Sequence, residues 1–183
     1  GGLSAWRDSM PTDREVRVLI LEDVPEEAEL CQRELHRAGL KFVAHRVDTR
    51  DAFERALREF RPDLVLSDFS MPTFDGLTAL GLTRTHSADL PFIFVSGTIG
   101  EDRAAEAMRS GATVYVLKDR PKRLVPAVAR ALKEARDRRA HRRVEEEIRS
   151  QESRLRLAVD NALDAFVTID QTGVILEWSR EAE

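Results

Sequence analysis

Short apolar runs alternate along the first two thirds of the chain with longer segments in which apolar residues recur every three or four positions. The runs are bounded by polar or turn-forming residues and have the length of buried parallel strands. The longer segments have the spacing of amphipathic helices. The five runs are residues 16–21, 42–47, 64–67, 92–95 and 113–117.

This alternation predicts βα units that build one parallel sheet. We expect helices to begin near Pro25, after the capping residue Thr49, near Leu77, at Glu101 and after Pro121. Five strands and five helices favour a flavodoxin-like, doubly wound α/β fold with strand order 2-1-3-4-5 and an extended C-terminal helix. In such a sheet the ligand crevice lies beyond the carboxyl ends of the first and third strands.

Four of the runs are followed at once by side chains that can carry chemistry. Glu22 and Asp23 follow the first run, Asp68 the third, Ser96 the fourth and Lys118 the fifth. Three carboxylates at neighbouring strand ends repel one another, so we expect a divalent cation among them. Acids, a hydroxyl and an ammonium at one sheet edge are the outline of a phosphoryl-transfer site.

Together with Met71-Pro72 and Gly76, these positions resemble the receiver domain of two-component response regulators over about residues 16–132. The resemblance implies that Asp68 is the acceptor of a phosphoryl group. It also implies a Mg²⁺ site formed by oxygen atoms of four residues: Glu22, Asp23, Asp68 and Ser70, the last through its backbone carbonyl.

The same resemblance gives roles to the ends of the last two strands. Lys118 and Ser96 are expected to contact the phosphoryl oxygens. Ser96 and Tyr115 are expected to switch together, because a phosphoryl group on Asp68 would draw Ser96 toward it and let Tyr115 swing inward. Receivers usually have proline after the lysine, whereas this chain has Asp119 there. The aim of Lys118 therefore depends on a trans peptide bond or on compensating contacts.

The segment after the receiver predicts a long helix with two different surfaces. A continuous helix over residues 124–160 would be about 55 Å long. Its highly charged second half keeps a narrow apolar seam with the spacing of a two-stranded coiled coil. We therefore expect a parallel homodimer through the helix after residue 124; the alternative is a solvated helix with no partner. The seam residues are Val144, Ile148, Gln151, Leu155 and Ala158.

The pattern changes again after Asn161, where two short strand-like segments flank a turn at residues 171–173. This end resembles the opening of a PAS sensor domain in the stretch Asn161-Ala-Leu-Asp-Ala165 and in Ala182-Glu183, although Ser179 stands where PAS domains often have Asn. The expected division is an N-terminal arm at 1–14, a receiver at 15–123, a coiled-coil helix at 124–160 and a PAS fragment at 161–183.

Composition narrows the partners and the compartment. The 29 basic and 33 acidic residues give a net charge of −4, and a basic block at 138–143 is followed directly by glutamates, so we expect no nucleic-acid partner. No apolar run approaches the roughly 20 residues of a membrane span. The one cysteine, Cys31, excludes an intramolecular disulfide, and we expect a cytoplasmic protein.

We interpret the chain as the phosphoacceptor module of a two-component phosphorelay. A cognate histidine kinase or phosphotransfer protein would phosphorylate Asp68, and the dimerising helix would relay the signal to a PAS and output region. The chain itself would then be a phosphoacceptor rather than an enzyme. Receiver–helix–PAS arrangements resemble the front halves of sensor histidine kinases and of cyclic-dinucleotide enzymes.

Two other classes stay open at this stage. A Mg-dependent phosphatase of the haloacid-dehalogenase kind also uses a strand-end aspartate, but it needs a second aspartate two residues later, where this chain has Ser70. A pseudo-receiver that is never phosphorylated would serve only as a dimerisation scaffold. The intact acidic set and Lys118 disfavour that third class.

Overall fold

A computed structural model of the protein divides the chain into two compact units, one that ends at Arg138 and one that starts at Arg139. The structure describes residues 15–72, 74–97, 101–160 and 167–178. The first unit contains the alternating strands and helices. The second contains the rest of the last long helix and a two-stranded hairpin.

Five parallel strands form one sheet in the first unit, in the order β2-β1-β3-β4-β5. This order confirms the doubly wound, flavodoxin-like fold predicted from the sequence. Leu21 pairs with both Val47 and Ser67, and Ser96 pairs with Leu117, so the carboxyl ends of the strands lie along one edge. The strands are β1 (Val16–Leu21), β2 (Phe42–Val47), β3 (Leu64–Ser67), β4 (Phe92–Ser96) and β5 (Val114–Leu117).

Helices connect the strands, and a last helix follows β5. Asp75 caps the third of them, where its Oδ1 atom accepts a hydrogen bond from the Thr78 amide at 3.0 Å, so that helix starts at Gly76 rather than at the predicted Leu77. The helices are α1 (Pro25–Arg37), α2 (Arg50–Glu59), α3 (Gly76–His86), α4 (Glu101–Arg109) and α5 (Leu124–Asp160), the last preceded by a 3₁₀ turn (Pro121–Arg123).

Two hydrophobic layers cover the two faces of the sheet, because successive strand residues point to opposite faces. In β1, residues 19 and 21 belong to one layer and residues 18 and 20 to the other. The first layer is rich in phenylalanine and includes buried side chains of α2, α3 and α4. The second layer includes buried side chains of α1 and of the first turns of α5. The edge that carries the strand ends is left for the polar groups.

The long helix α5 is continuous over 37 residues, as the sequence predicts. Its first turns place a row of side chains in the second layer: Leu124, Val128, Ala131 and Leu132. Of the predicted seam, Val144, Ile148 and Leu155 are exposed apolar side chains. A second chain at this seam stays a prediction.

The hairpin of the second unit pairs β6 (Val167–Ile169) with β7 (Ile175–Trp178) in antiparallel fashion. Its turn is closed by Asp170, whose Oδ1 atom accepts hydrogen bonds from the amides of Thr172 at 2.8 Å and Val174 at 2.9 Å. These are the two short strands predicted for this end. The PAS-like stretch at 161–165 and the pair at 182–183 lie outside the described residues.

Nowhere in the described ranges does a helix have both the length and the apolar character that crossing a membrane requires.

Candidate functional site

The backbone at the ends of β1 and β3 fixes the two central acids beside each other. The Asp68 amide donates to the carbonyl oxygen of Leu21 at 2.9 Å, and the Glu22 amide donates to that of Val47 at 3.1 Å. Arg46 of β2 donates to the carbonyl oxygen of Glu22 at 2.8 Å. The acids are therefore positioned by the hydrogen bonding of three adjacent strands rather than by flexible loops.

Both oxygens of the Asp68 carboxylate are engaged. The Oδ1 atom accepts hydrogen bonds from the amides of Phe69 at 2.6 Å and Ser70 at 3.4 Å. The Oδ2 atom accepts from the ammonium of Lys118 at 3.2 Å. These donors fix the orientation of the carboxylate, with one oxygen toward the backbone and the other toward the lysine.

Lys118 lies at the centre of the acidic group. Its ammonium donates to Glu22 Oε2 at 2.9 Å and to Asp68 Oδ2 at 3.2 Å, and it also contacts Glu27 Oε2. Burial alone would lower the pKa of Lys118, but its hydrogen bonds to Glu27 and Glu22 and the negative charge of Asp68 outweigh burial and raise it. The Lys118 side chain therefore stays protonated and positively charged.

The structure shows what orients Lys118 although no proline follows it. The peptide bond between Lys118 and Asp119 is trans, and the Lys118 amide donates to the carbonyl oxygen of Ser96 at 2.8 Å. The Asp119 side chain is exposed. The aim of the ammonium thus comes from the β4–β5 pairing and from the acids that it contacts.

The carboxylates that the structure brings together are those of Glu22, Glu27 and Asp68, with one oxygen from each lying within 4.8 Å of the others. Such an oxygen set fits a hard divalent cation such as Mg²⁺. Glu22 is buried, and this burial raises its pKa despite the opposing contact with Lys118. Asp23, the other predicted ligand, has an exposed side chain and is not in this group.

Ser96 and Tyr115 lie on adjacent strands next to the acidic group. Ser96 is buried at the end of β4. Burial raises the pKa of the Tyr115 hydroxyl, and the Ser96 hydroxyl partly opposes that shift. The Tyr115 oxygen is itself buried and makes no hydrogen bond to any described residue, so Ser96 is its neighbour rather than its partner. The switching of these two residues stays a prediction.

Gly76 holds the turn after Asp68 close to the sheet. A β-carbon at this position would lie 2.6 Å from the carbonyl oxygen of Asp68 and 2.6 Å from the ring of Phe94. Neither neighbour is the free end of a flexible side chain, so only glycine fits here. The glycine noted in the sequence thus allows the start of α3 to approach Asp68.

Sequence reasoning missed Glu27 as a site residue. In the sequence it is only an acid in the first turn of a helix. Acids are common there because their negative charge interacts favourably with the positive end of the helix dipole. Helical spacing did contain a signal, because Glu27 lies four residues before the partly buried Cys31 and therefore shares its inward-facing stripe.

Comparisons with known proteins agree with this geometry. Residues 18–129 match the response regulator receiver domain family. The chain is 39% identical over 116 residues to the response regulator protein FleR of Pseudomonas aeruginosa. The matched region makes up 63% of this chain and 23% of FleR. It is 35% identical over 123 residues to the C4-dicarboxylate transport transcriptional regulatory protein DctD of the same species, covering 67% and 26%. The chain thus spans about a quarter of these relatives.

The solved structures give the same result for the fold. The signal receiver domain of the putative response regulator NarL from Mycobacterium tuberculosis is 27% identical, with a TM-score of 0.57, and the match covers 66% of this chain and 98% of that domain. The signal receiver domain of a putative Luxo repressor protein from Vibrio parahaemolyticus is 24% identical with a TM-score of 0.62, covering 69% and 97%.

The doubly wound sheet, with clustered acids and a lysine at its carboxyl edge, defines the class of open α/β domains that place a polar site at their strand ends. Within that class, the chain belongs to the response regulator receiver domain family.

Proposed function

We propose that Asp68 accepts a phosphoryl group from the phosphohistidine of a cognate histidine kinase or phosphotransfer protein. The proposal is carried by one contact, that of the Lys118 ammonium with Asp68 Oδ2 at 3.2 Å inside a group of three carboxylates. A nucleophilic carboxylate beside a fixed positive charge is what transfer of an anionic group requires. Receiver domains as a family are phosphorylated in this way and generally bind Mg²⁺ at their acidic site.

The residues around Asp68 divide the work of positioning and charge neutralisation. The backbone amides of Phe69 and Ser70 hold one carboxylate oxygen, and the other, which Lys118 contacts, is the oxygen that attacks phosphorus. Lys118 stabilises the negative charge that gathers on the phosphoryl oxygens, and Ser96 donates its hydroxyl to one of them. A bound Mg²⁺, held by acids of this edge with the Ser70 carbonyl, would supply further charge neutralisation and alignment.

The transfer balances without any further reactant. An oxygen of Asp68 forms a bond to phosphorus while the bond from phosphorus to the donor's imidazole nitrogen breaks. The electron pair of that bond stays on the nitrogen, which takes up a proton. Asp68 becomes an acyl phosphate with about 1.5–2 negative charges, where a single one stood before.

The relay that we propose uses the elements next to Asp68. The added charge draws Ser96 toward the phosphoryl group, and Tyr115 changes position behind it. The surface of α4, β5 and α5 changes with them, and α5 carries the change to a parallel coiled coil of two chains. A PAS domain and an output region after residue 160 would receive it. The output stays open because the chain spans only about a quarter of its curated relatives.

Labelling with a small phosphoryl donor tests the acceptor. The unaltered chain, incubated with radioactive acetyl phosphate and Mg²⁺, should become labelled, and Asp68→Asn should reduce the label to background. Asp51→Asn, which removes an exposed acid from the first turn of α2, is the matched control and should keep the full label. Undiminished labelling of Asp68→Asn would refute the assignment. Failure of the unaltered chain to bind beryllofluoride with Mg²⁺ would favour the scaffold alternative.

A further inference from the structure

The ammonium of Lys118 has three hydrogens and three carboxylate partners, one of which no sequence motif anticipates. That partner is Glu27 in the first turn of α1. We propose that Glu27 is a positioning residue that shares the Lys118 ammonium with Asp68 and keeps the lysine from pairing more closely with Asp68 until a phosphoryl group arrives. The proposal rests on the proposed role of Asp68 and adds a residue that sets when the lysine is released.

The start of α1 explains why Glu27 reaches the site and its neighbour does not. Pro25 begins the helix directly after the loop that follows β1, so the first turn lies above the strand edge. Glu27 is half-buried and points toward Lys118, whereas Glu26 is exposed. The chain thus offers two adjacent glutamates of equal charge, only one of which contacts the lysine.

Solvent exposure ranks the three partners by how easily each can give up the lysine. The side chain of Glu27 is 40% exposed, against 13% for Asp68 and 5% for Glu22. A carboxylate that water can reach loses least when its ion pair breaks, because water replaces the lost hydrogen bond. A phosphoryl group on Asp68 would therefore draw Lys118 away from Glu27 first, while the contact with buried Glu22 remains.

Before phosphoryl transfer, the ion pair between Glu27 and Lys118 keeps Asp68 available to a divalent cation. Three carboxylates share one ammonium, so each receives only part of its charge. Without Glu27 the ammonium would pair more closely with Asp68 and would compete there with a divalent cation. Replacement of Glu27 should consequently weaken Mg²⁺ binding through the lysine, although Glu27 need not touch the ion.

A double-mutant cycle separates action through the lysine from direct action on the ion. Mg²⁺ alone is titrated into the full chain and into Glu27→Gln, Glu26→Gln, Lys118→Met and Glu27→Gln with Lys118→Met, with binding followed by the amide NMR signals of the strand ends. We expect Glu27→Gln to weaken Mg²⁺ binding about three- to tenfold and Glu26→Gln less than about twofold. In the Lys118→Met background the effect of Glu27→Gln should shrink to less than about twofold.

Two results would overturn the proposal. A loss that is as large or larger in the Lys118→Met background would make Glu27 a direct ligand or a bare charge, and a loss no larger than that of Glu26→Gln would make it a bystander. No phosphoryl donor is present, so the result is independent of whether Asp68 can be labelled.

A metal-free measurement examines the ion pair itself. The side-chain nitrogen signal of Lys118 should shift in Glu27→Gln and stay in place in Glu26→Gln. An unchanged signal in Glu27→Gln, in a chain whose other amide signals show it to be folded, would contradict the proposal.

Discussion

The two halves of α5 carry the same kind of apolar stripe in opposite surroundings. Val128 in the first half is 0% exposed and packs in the second hydrophobic layer of the sheet. Val144 in the second half is 58% exposed, and Ile148 and Leu155 are similarly open. One continuous helix thus passes from a half whose stripe is covered by its own chain to a half whose stripe is not.

The difference shows what apolar periodicity can and cannot tell. A stripe at three- and four-residue steps predicts that a helix face will be covered, but it does not say by what. In the first half the cover is the sheet that carries Asp68. In the second half the narrow seam and the surrounding charges favour a second copy of the helix.

A matched pair of valines tests this difference most severely. Val128→Asp would bury an unpaired charge in the core and should lower the free energy of unfolding by about 4 kcal/mol or more, enough to unfold a typical domain. Val144→Asp should change the unfolding of the first unit by less than about 0.5 kcal/mol. Urea unfolding of both variants measures this. Equal losses would mean that the two halves are equally covered.

The seam is tested by the mass of the particle in solution. We expect the full chain to be a dimer in light scattering, and the combined change of Val144, Ile148 and Leu155 to Asp to give a monomer, because six added charges would face one another across the seam. Ser150→Asp with Ser153→Asp, which adds charge away from the seam, is the control and should stay dimeric. A seam variant that remains dimeric would place the interface on the receiver itself.

Much of the fold could be predicted because its signals are local. Most strands are apolar runs closed by a polar residue, and several helices have a cap or a glycine at an end. Gly39 and Gly111, for example, have φ angles of +80° and +95°. The start of α3, predicted near Leu77 and found at Gly76, depends on the Asp75 cap and on the close approach of Gly76 to Asp68.

The residues of the candidate site likewise divide into those that local sequence signals predict and those that depend on tertiary structure. Strand register brings Glu22, Asp68 and Lys118 to one edge, where the lysine ammonium contacts both acids. Glu27 depends on the rotation of α1, which no strand-end rule gives. The direction of the Asp23 side chain and the position of the Tyr115 hydroxyl depend on rotamers, which the order of elements does not determine.

Two glycines of α3 extend the contrast between covered and open positions. Gly76→Ala should destabilise the fold by about 1–3 kcal/mol, because its new methyl group would meet Asp68 and Phe94. Gly81→Ala has nothing within 4 Å and should stabilise the fold by about 0.5–1 kcal/mol. Thermal unfolding compares the two, and a Gly76→Ala variant as stable as the unaltered chain would disprove the close approach.

The smallest expected effect concerns the buried acid. Burial raises the pKa of Glu22 above the ordinary 4.5, with Lys118 opposing part of the shift. The folded chain therefore holds this proton more tightly than the unfolded chain, and the free energy of unfolding contributed by Glu22 falls as pH rises from 4.5 through its raised pKa. Glu22→Gln should remove that fall in urea titrations at a series of pH values. A variant that becomes less stable than the unaltered chain as pH rises would show the opposite sign.

Chemical trapping of the phosphorylated residue is the most direct test of the central claim. The chain is phosphorylated with acetyl phosphate and Mg²⁺, the acyl phosphate is reduced with borohydride, and the peptides are read by mass spectrometry. We predict that the residue at position 68 is recovered as homoserine in proportion to the phosphate bound. Recovery of the modification at Asp23 or at any other acid, with Asp68 intact, would contradict the account.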